Sequence, residues 1–204
     1  MITLYNYEDK SKETLKEKCL NELNVTEEDI FTKESETESG LFKNKKYQLV
    51  AVKKEDIIKE VKDFINTLAQ KFNIEINTEV TVRDNNINVM MVSNNNAILI
   101  GKDGRTIESI QIILNQYINN QIDMNLRINV DASNYKGKKI KNFEYEIKKI
   151  AKSVLRTNVA VKLDPMNSYN RRIVHNVVSE FENLTSLSEG EEPNRYVVID
   201  YKED

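Results

Sequence analysis

The rhythm of apolar residues between Lys53 and Asn134 narrows the possible folds more than any other feature of the chain. Ile57, Val61, Phe64, Ile65, Leu68 and Phe72 recur three and four residues apart, which places them on one face of a helix. Ile74, Ile76, Val80 and Val82 then alternate with Glu75, Asn77, Glu79 and Thr81, the period of a strand with one buried face. Asp84-Asn85-Asn86 supplies turn residues, and Ile87, Val89 and Met91 resume the alternation, so the two strands form a hairpin. The short apolar run Ala97–Ile100 ends at Gly101-Lys102-Asp103-Gly104. A second helical pattern follows (Ile107, Ile110, Leu114, Tyr117, Ile118), and then an alternating strand of Leu126, Ile128 and Val130. The predicted order is α-β-β-α-α-β, with a glycine pair between two helices.

The flanking segments have different rhythms. Residues 1–52 open on a short apolar start and an amphipathic stretch with Leu15, Cys19 and Leu23, after the candidate cap Asp9. Ile30-Phe31 begins one strand, and Tyr47, Leu49 and Ala51 alternate as another. Glu34–Gly40 and Lys43–Lys46 between them read as a solvated turn. Residues 135–204 begin with a long basic helix whose apolar stripe is Ile140, Phe143, Ile147, Ile150, Ala151 and Val154. Val159, Val161 and Leu163 alternate as a short strand. Asp164-Pro165 then reads as a cap and first helical position, opening a helix that carries Met166, Tyr169, Ile173, Val177, Phe181 and Leu184. Ser188-Glu189-Gly190 reads as a turn and Arg195–Asp200 as a last strand.

Composition removes several classes of function. A chain of 204 residues with 39% apolar and 31% charged residues can bury a core. One cysteine, Cys19, allows no internal disulfide, and with His175 as the sole histidine it builds no zinc site. No metal and no cofactor are expected. No apolar run approaches the ~20 residues of a spanning helix. Met1–Asn6 lacks the basic-then-apolar pattern of a secretory signal, so a cytoplasmic location is expected. The net charge of −3 argues against a protein that coats nucleic acid everywhere, yet Lys136–Arg156 holds eight basic residues against Glu144 and Glu146. A local patch of this kind acts alone, because salt screens each charge within about 8–10 Å.

The glycine pair is the first candidate site. Glycine carries no Cβ, so a sugar-phosphate strand can approach the backbone closely, and glycine also permits a tight turn between helices. The helix that starts near Arg105 aims its unpaired N–H groups at the same anion. Lys102 and Arg105 add charge, Asp103 offsets one of them, and Ile98, Ile100, Ile107 and Ile110 offer an apolar groove for unstacked bases. The bland alternative is a linker in which glycine merely ends a helix. The second candidate is Arg171-Arg172-Ile173-Val174-His175. Arg171 and His175 sit about 40° apart around a helix, nearly opposite Ile173, and read as paired donors on an exposed face. Arg172, Lys138 and Lys139 are further candidate phosphate contacts, and the alternative is a solvated helix with scattered charge.

Ile98-Leu99-Ile100-Gly101-Lys102-Asp103-Gly104-Arg105-Thr106-Ile107 resembles the GxxG loop of a KH domain, and the element order resembles the prokaryotic, type II arrangement. Such loops clamp about four backbone nucleotides. Arg171 and His175, with Leu163–Asn167 before them and Ser188–Arg195 after, resemble the Arg-xxx-His domain that binds single-stranded nucleic acid. The two in succession are similar to the bacterial Jag (KhpB) family, whose small N-terminal Jag domain residues 1–52 fit in outline. Gly40-Leu41-Phe42 resembles its glycine-aromatic stretch, with Lys43 where a glycine often follows.

The resemblance implies an α+β fold of three small α/β-sandwich domains in tandem, at residues 1–52, 53–134 and 135–204. It implies a protein that binds single-stranded RNA, with single-stranded DNA as a related ligand, and that acts as a post-transcriptional regulator linked to cell-envelope growth. A smaller KH-only partner, a peripheral link to the membrane insertion machinery and a homodimer are implied partners. The competing reading is a protein-interaction scaffold that uses the KH fold for dimerisation. Catalysis is not expected: no G-x-x-x-x-G-K-[ST] loop and no nucleophile elbow is present, and Glu191-Glu192 sit beside a turn.

Overall fold

The computed structural model describes residues 2–39 and 44–202. The chain divides into two compact units, Met1–Tyr135 and Lys136–Asp204. Among the described residues, three small sheets with helices against them form a mixed α+β architecture, two sheets in the first unit and one in the second.

The first sheet is built from β1 (Tyr5–Asp9), β2 (Ile30–Ser39) and β3 (Asn44–Lys53), in the order β1-β3-β2 with antiparallel pairs throughout. Helix α1 (Lys12–Leu23) is preceded by Ser11 rather than capped from Asp9, which lies in β1. It ends where Asn24 turns left-handed at φ 51°. Leu15 and Cys19 pack against Ile30, Leu49 and Ala51. The segment expected to be a solvated turn is instead strand: β2 continues through Glu34–Ser39 and β3 begins at Asn44. Glu34 and Glu36 on one strand and Lys45 and Lys46 on the other are exposed, so this part of the ladder carries charge where apolar alternation would mark a strand. Lys45 Nζ lies 2.6 Å from Glu36 Oε1, an exposed ion pair between the two strands. Gly40-Leu41-Phe42 and Lys43 lie outside the described residues.

The second sheet follows without a linker. Helix α2 (Lys54–Phe72) leads to β4 (Ile76–Arg83) and β5 (Asn86–Ser93), a hairpin turned at Asp84 with φ 50°. Then come α3 (Asn96–Ile100), a 3-10 turn at Lys102–Gly104, α4 (Arg105–Ile122) and β6 (Arg127–Ala132). The sheet order is β4-β5-β6, with β6 parallel to β5. The α-β-β-α-α-β order read from periodicity is the order found. Ile57, Val61 and Ile65 from α2 and Ile107, Leu114 and Ile118 from α4 bury against Ile87, Val89, Met91, Ile128 and Val130.

Strand β6 is an edge, and α4 covers it with side-chain amides. Asn115 accepts from the Ile128 N–H at 3.0 Å and donates to its carbonyl at 2.7 Å. Asn119 does the same for Leu126, and Gln111 accepts from the Val130 N–H at 3.0 Å. Three amides spaced four residues apart thus take the place of a neighbouring strand and leave little edge for another chain to pair with.

Helix α5 (Tyr135–Thr157) starts on the last residue of the first unit, and in the second unit it precedes β7 (Val161–Lys162), α6 (Ser168–Val178), β8 (Leu184–Glu189) and β9 (Tyr196–Tyr201). The sheet order is β7-β9-β8, all antiparallel. Ile147, Ala151 and Val154 of α5 and Val174 and Val177 of α6 close over Val197 and Ile199. Helix α6 does not open at Asp164-Pro165. The Leu163 and Met166 N–H groups donate to the Val197 and Arg195 carbonyls, which holds this stretch extended. Asn167 caps the helix by accepting from the Asn170 N–H at 2.9 Å. The helix also ends sooner than expected, at Val178, so Phe181 lies beyond it and Leu184 starts β8. Ser188 and Glu189 belong to that strand, and the turn follows at Gly190, φ 79°.

Candidate nucleic-acid interface

The α3–α4 junction is a left-handed turn. Gly101, Asp103 and Gly104 have φ of 70°, 56° and 87°. Aspartate is among the few side chains that tolerate that region. The Gly101 N–H closes α3 by donating to Ala97 O at 2.9 Å, and the Arg105 N–H donates to Lys102 O. The two glycines serve different ends. A Cβ at Gly101 would run into the Thr106 hydroxyl. One at Gly104 would come within 2.6 Å of Tyr135 Cε1, because the buried second glycine lies against the tyrosine ring. Both glycines thus lie against the protein's own side chains, and the exposed part of the loop is Lys102-Asp103 with Arg105 at the start of α4.

Lys102, Asp103 and Arg105 are exposed, and Gly104 offers the first turn of α4 no side-chain cap. Amides at such an end, with two cations beside them, attract an anion. Ile98 is 42% exposed and Ile100 half-buried, so apolar surface adjoins the turn. Ile107 and Ile110 do not line a groove: both are buried in the core, because their face of α4 packs on the sheet.

On α6 the structure corrects the expectation of an exposed Arg171–His175 pair. Arg171 is only 8% exposed. Its guanidinium donates to Met166 O at 2.8 Å and pairs with Glu192 Oε1 at 2.8 Å, tying the helix to the turn after β8. His175 is half-buried, with Nδ1 2.7 Å from Ser186 Oγ and Nε2 2.8 Å from Ser188 Oγ. Burial, and secondarily the Arg171 charge, hold its pKa below the ordinary histidine value. The neutral ring donates from one nitrogen and accepts at the other, so the two serine hydroxyls take opposite roles. Strand β8 covers this face of the helix, and helical periodicity carries no information about what packs there. Arg172 is the member of the trio that reaches solvent. Lys138 and Lys139 on α5 are also exposed.

Sequence reading gave no site role to Tyr135, Thr106, Ser186, Ser188 or Glu192. The serines occupy the inward positions of β8, where strand alternation would show apolar residues, and the exposed position between them is Leu187, 63% exposed. The pattern is inverted because the inward neighbour is a histidine. Among the described residues, no group of His, Cys, Asp or Glu could hold a metal ion, and no helix is long and apolar enough to cross a membrane.

Two family models match the chain, one for the Arg-xxx-His (R-3-H) domain over residues 143–201 and one described as KhpA/KhpB, KH domain, over residues 59–131. The chain is 32% identical over 154 residues to the RNA-binding protein KhpB of Clostridium symbiosum, covering 74% of this chain and 69% of that protein. It is 30% identical over 167 residues to the RNA-binding protein KhpB of Bacillus subtilis, covering 80% and 79%. With the protein of the same name from Streptococcus pneumoniae it shares 26% identity over 190 residues, covering 89% of this chain and 58% of that protein. The chain thus spans little more than half the length of the pneumococcal relative.

Proposed function

The chain belongs to the KhpB family, and on that premise we propose that it binds single-stranded RNA through its KH and Arg-xxx-His modules and does so without catalysis. The observation that carries this reading is the left-handed turn that exposes Lys102 and Asp103 between two glycines, followed by an α4 whose N-cap is Gly104 and whose first residue is the exposed Arg105. Amides and the Lys102 and Arg105 charges hold phosphate there, while Ile98 and Ile100 give an unstacked base an apolar seat. In the second module Arg172 meets the backbone, Arg171 and His175 hold the surface in shape, and Lys138 and Lys139 add charge. Residues 1–52, 53–134 and 135–204 are taken as the functional divisions.

Fluorescence anisotropy with a labelled oligo(U) 20-mer tests the reading. Lys102→Asp should weaken binding several-fold while leaving the thermal midpoint nearly unchanged, since the side chain is exposed. Equal affinity in that variant removes the KH loop from the site. An unlabelled oligo(dT) competitor tells whether single-stranded DNA also enters.

The family setting extends the reading to cytoplasmic post-transcriptional regulation tied to cell-envelope growth, with a smaller KH-only protein and the membrane insertion machinery as partners. Co-purification of either partner from cells checks that extension. A second reading, self-association through the KH fold, is favoured by one observation. Ile112 and Ile113 on α4 are 58% and 53% exposed in a run from Ser109 to Ile122 that holds no charged residue. Sedimentation of the parent chain and of Ile113→Glu decides it: a dimer lost in the variant supports it, and a monomer in both removes it.

A further inference from the structure

Helix α5 carries a solvent face that the KH loop and α6 do not account for. Its apolar residues Ile147, Ala151 and Val154 are buried. At about 100° per residue, Lys138, Lys141, Tyr145, Lys149, Lys152 and Arg156 fall within roughly 60° of a line on the opposite side. All six are exposed, and the line runs about 27 Å from Lys138 to Arg156 at 1.5 Å rise per residue. Among the described residues, no carboxylate lies within ion-pairing distance of these five cations, whereas the neighbouring Lys148 is held by Glu180 at 2.8 Å. Glu144 and Glu146 fall about 100° to either side of that line, outside the stripe. Tyr145 is 62% exposed near its middle, with Lys149 Nζ 4.5 Å from the ring centroid.

From this arrangement we infer that the outer face of α5 is a separate track for single-stranded RNA, holding successive phosphates on Lys138, Lys141, Lys149, Lys152 and Arg156 and stacking one base on Tyr145. The chemistry favours RNA over an anionic membrane. The apolar side of α5 is committed to the core and has nothing to insert, while an exposed ring between cations matches the stacking-plus-charge pattern of single-strand channels. It favours a single strand over a duplex, because a base must be unstacked to reach the ring. The cations are spaced about 4–6 Å apart along the axis on either side of the tyrosine, so a flexible strand can meet them in turn. The inference rests on the RNA-binding reading above and adds a surface to it.

The test measures oligo(U) 20-mer affinity for the full chain between 50 and 300 mM salt. Each single-strand phosphate contact contributes roughly 0.7 to the slope of log K against log salt. The triple variant Lys141→Gln/Lys149→Gln/Lys152→Gln should therefore flatten the slope by about 2. Tyr145→Ala should lower affinity about tenfold with the slope kept. Ultraviolet crosslinking of the unmodified chain should place RNA on peptides from 138–156, which needs no variant to fold. An unchanged slope, with no crosslink there and Lys102→Asp still weakening binding, overturns the track and leaves the KH reading standing. Loss of phosphatidylglycerol-vesicle binding in the triple variant with an unaltered RNA slope assigns the face to membranes and overturns it too. No oligo(U) binding by the unmodified chain overturns both readings.

Discussion

The contact between Gly104 and Tyr135 yields a prediction that separates two reasons for a glycine. Alanine at position 104 would sit at φ 87°, a left-handed conformation that costs an L-residue about 1–2 kcal/mol. Its methyl would also come 2.6 Å from Tyr135 Cε1, and forcing a methyl into a packed site costs roughly 1–3 kcal/mol. Gly104→Ala should thus lose about 3 kcal/mol, or ~6–12 °C of thermal midpoint for a chain of this size. In a Tyr135→Ala background the clash is gone and only the backbone strain remains, so the same change should cost about 1–2 kcal/mol. Urea unfolding of the parent, both single variants and the double variant gives the coupling, expected at about 1–2 kcal/mol. Equal costs in the two backgrounds would refute the argument and return Gly104 to a role in backbone approach alone.

Arg171→Ala leaves Met166 O and Glu192 without their partner and should cost about 2 kcal/mol in urea unfolding, whereas Arg172→Ala should leave stability alone and flatten the RNA salt slope by about 0.7. His175 is held below its ordinary pKa, so the unfolded chain takes up its proton first as pH falls. The stability that the neutral ring contributes is complete above the unfolded value near 6.5 and lost on acidification toward the lower folded value. His175→Gln should remove that part of the loss in urea midpoint between pH 7.5 and pH 5, and a pH profile identical to the parent's would exclude His175 as its source. Asn115→Ala strips two partners from Ile128, so about 3 kcal/mol should be lost and the Ile128 amide should exchange faster with deuterium.

The order of elements from Lys54 to Ala132 was legible in the sequence, as were the turn at Gly101–Gly104 and the basic, amphipathic α5, because each rests on local periodicity or on a backbone geometry that few residues tolerate. Periodicity says which face of an element is apolar and says nothing about which element covers a polar one. That is why Arg171 and His175 read as an exposed pair, whereas the turn after β8 ties down Arg171 and the serines of β8, which hid the strand itself, hold His175. The same ignorance of distant neighbours placed Ile107 and Ile110 in a groove and left Tyr135 unsuspected beside Gly104, thirty-one positions earlier in the chain. Local sequence carries the helix, the strand and the left-handed turn. Which polar group meets which, and which glycine has room beside it, is settled only when segments far apart in the chain compete for the same space.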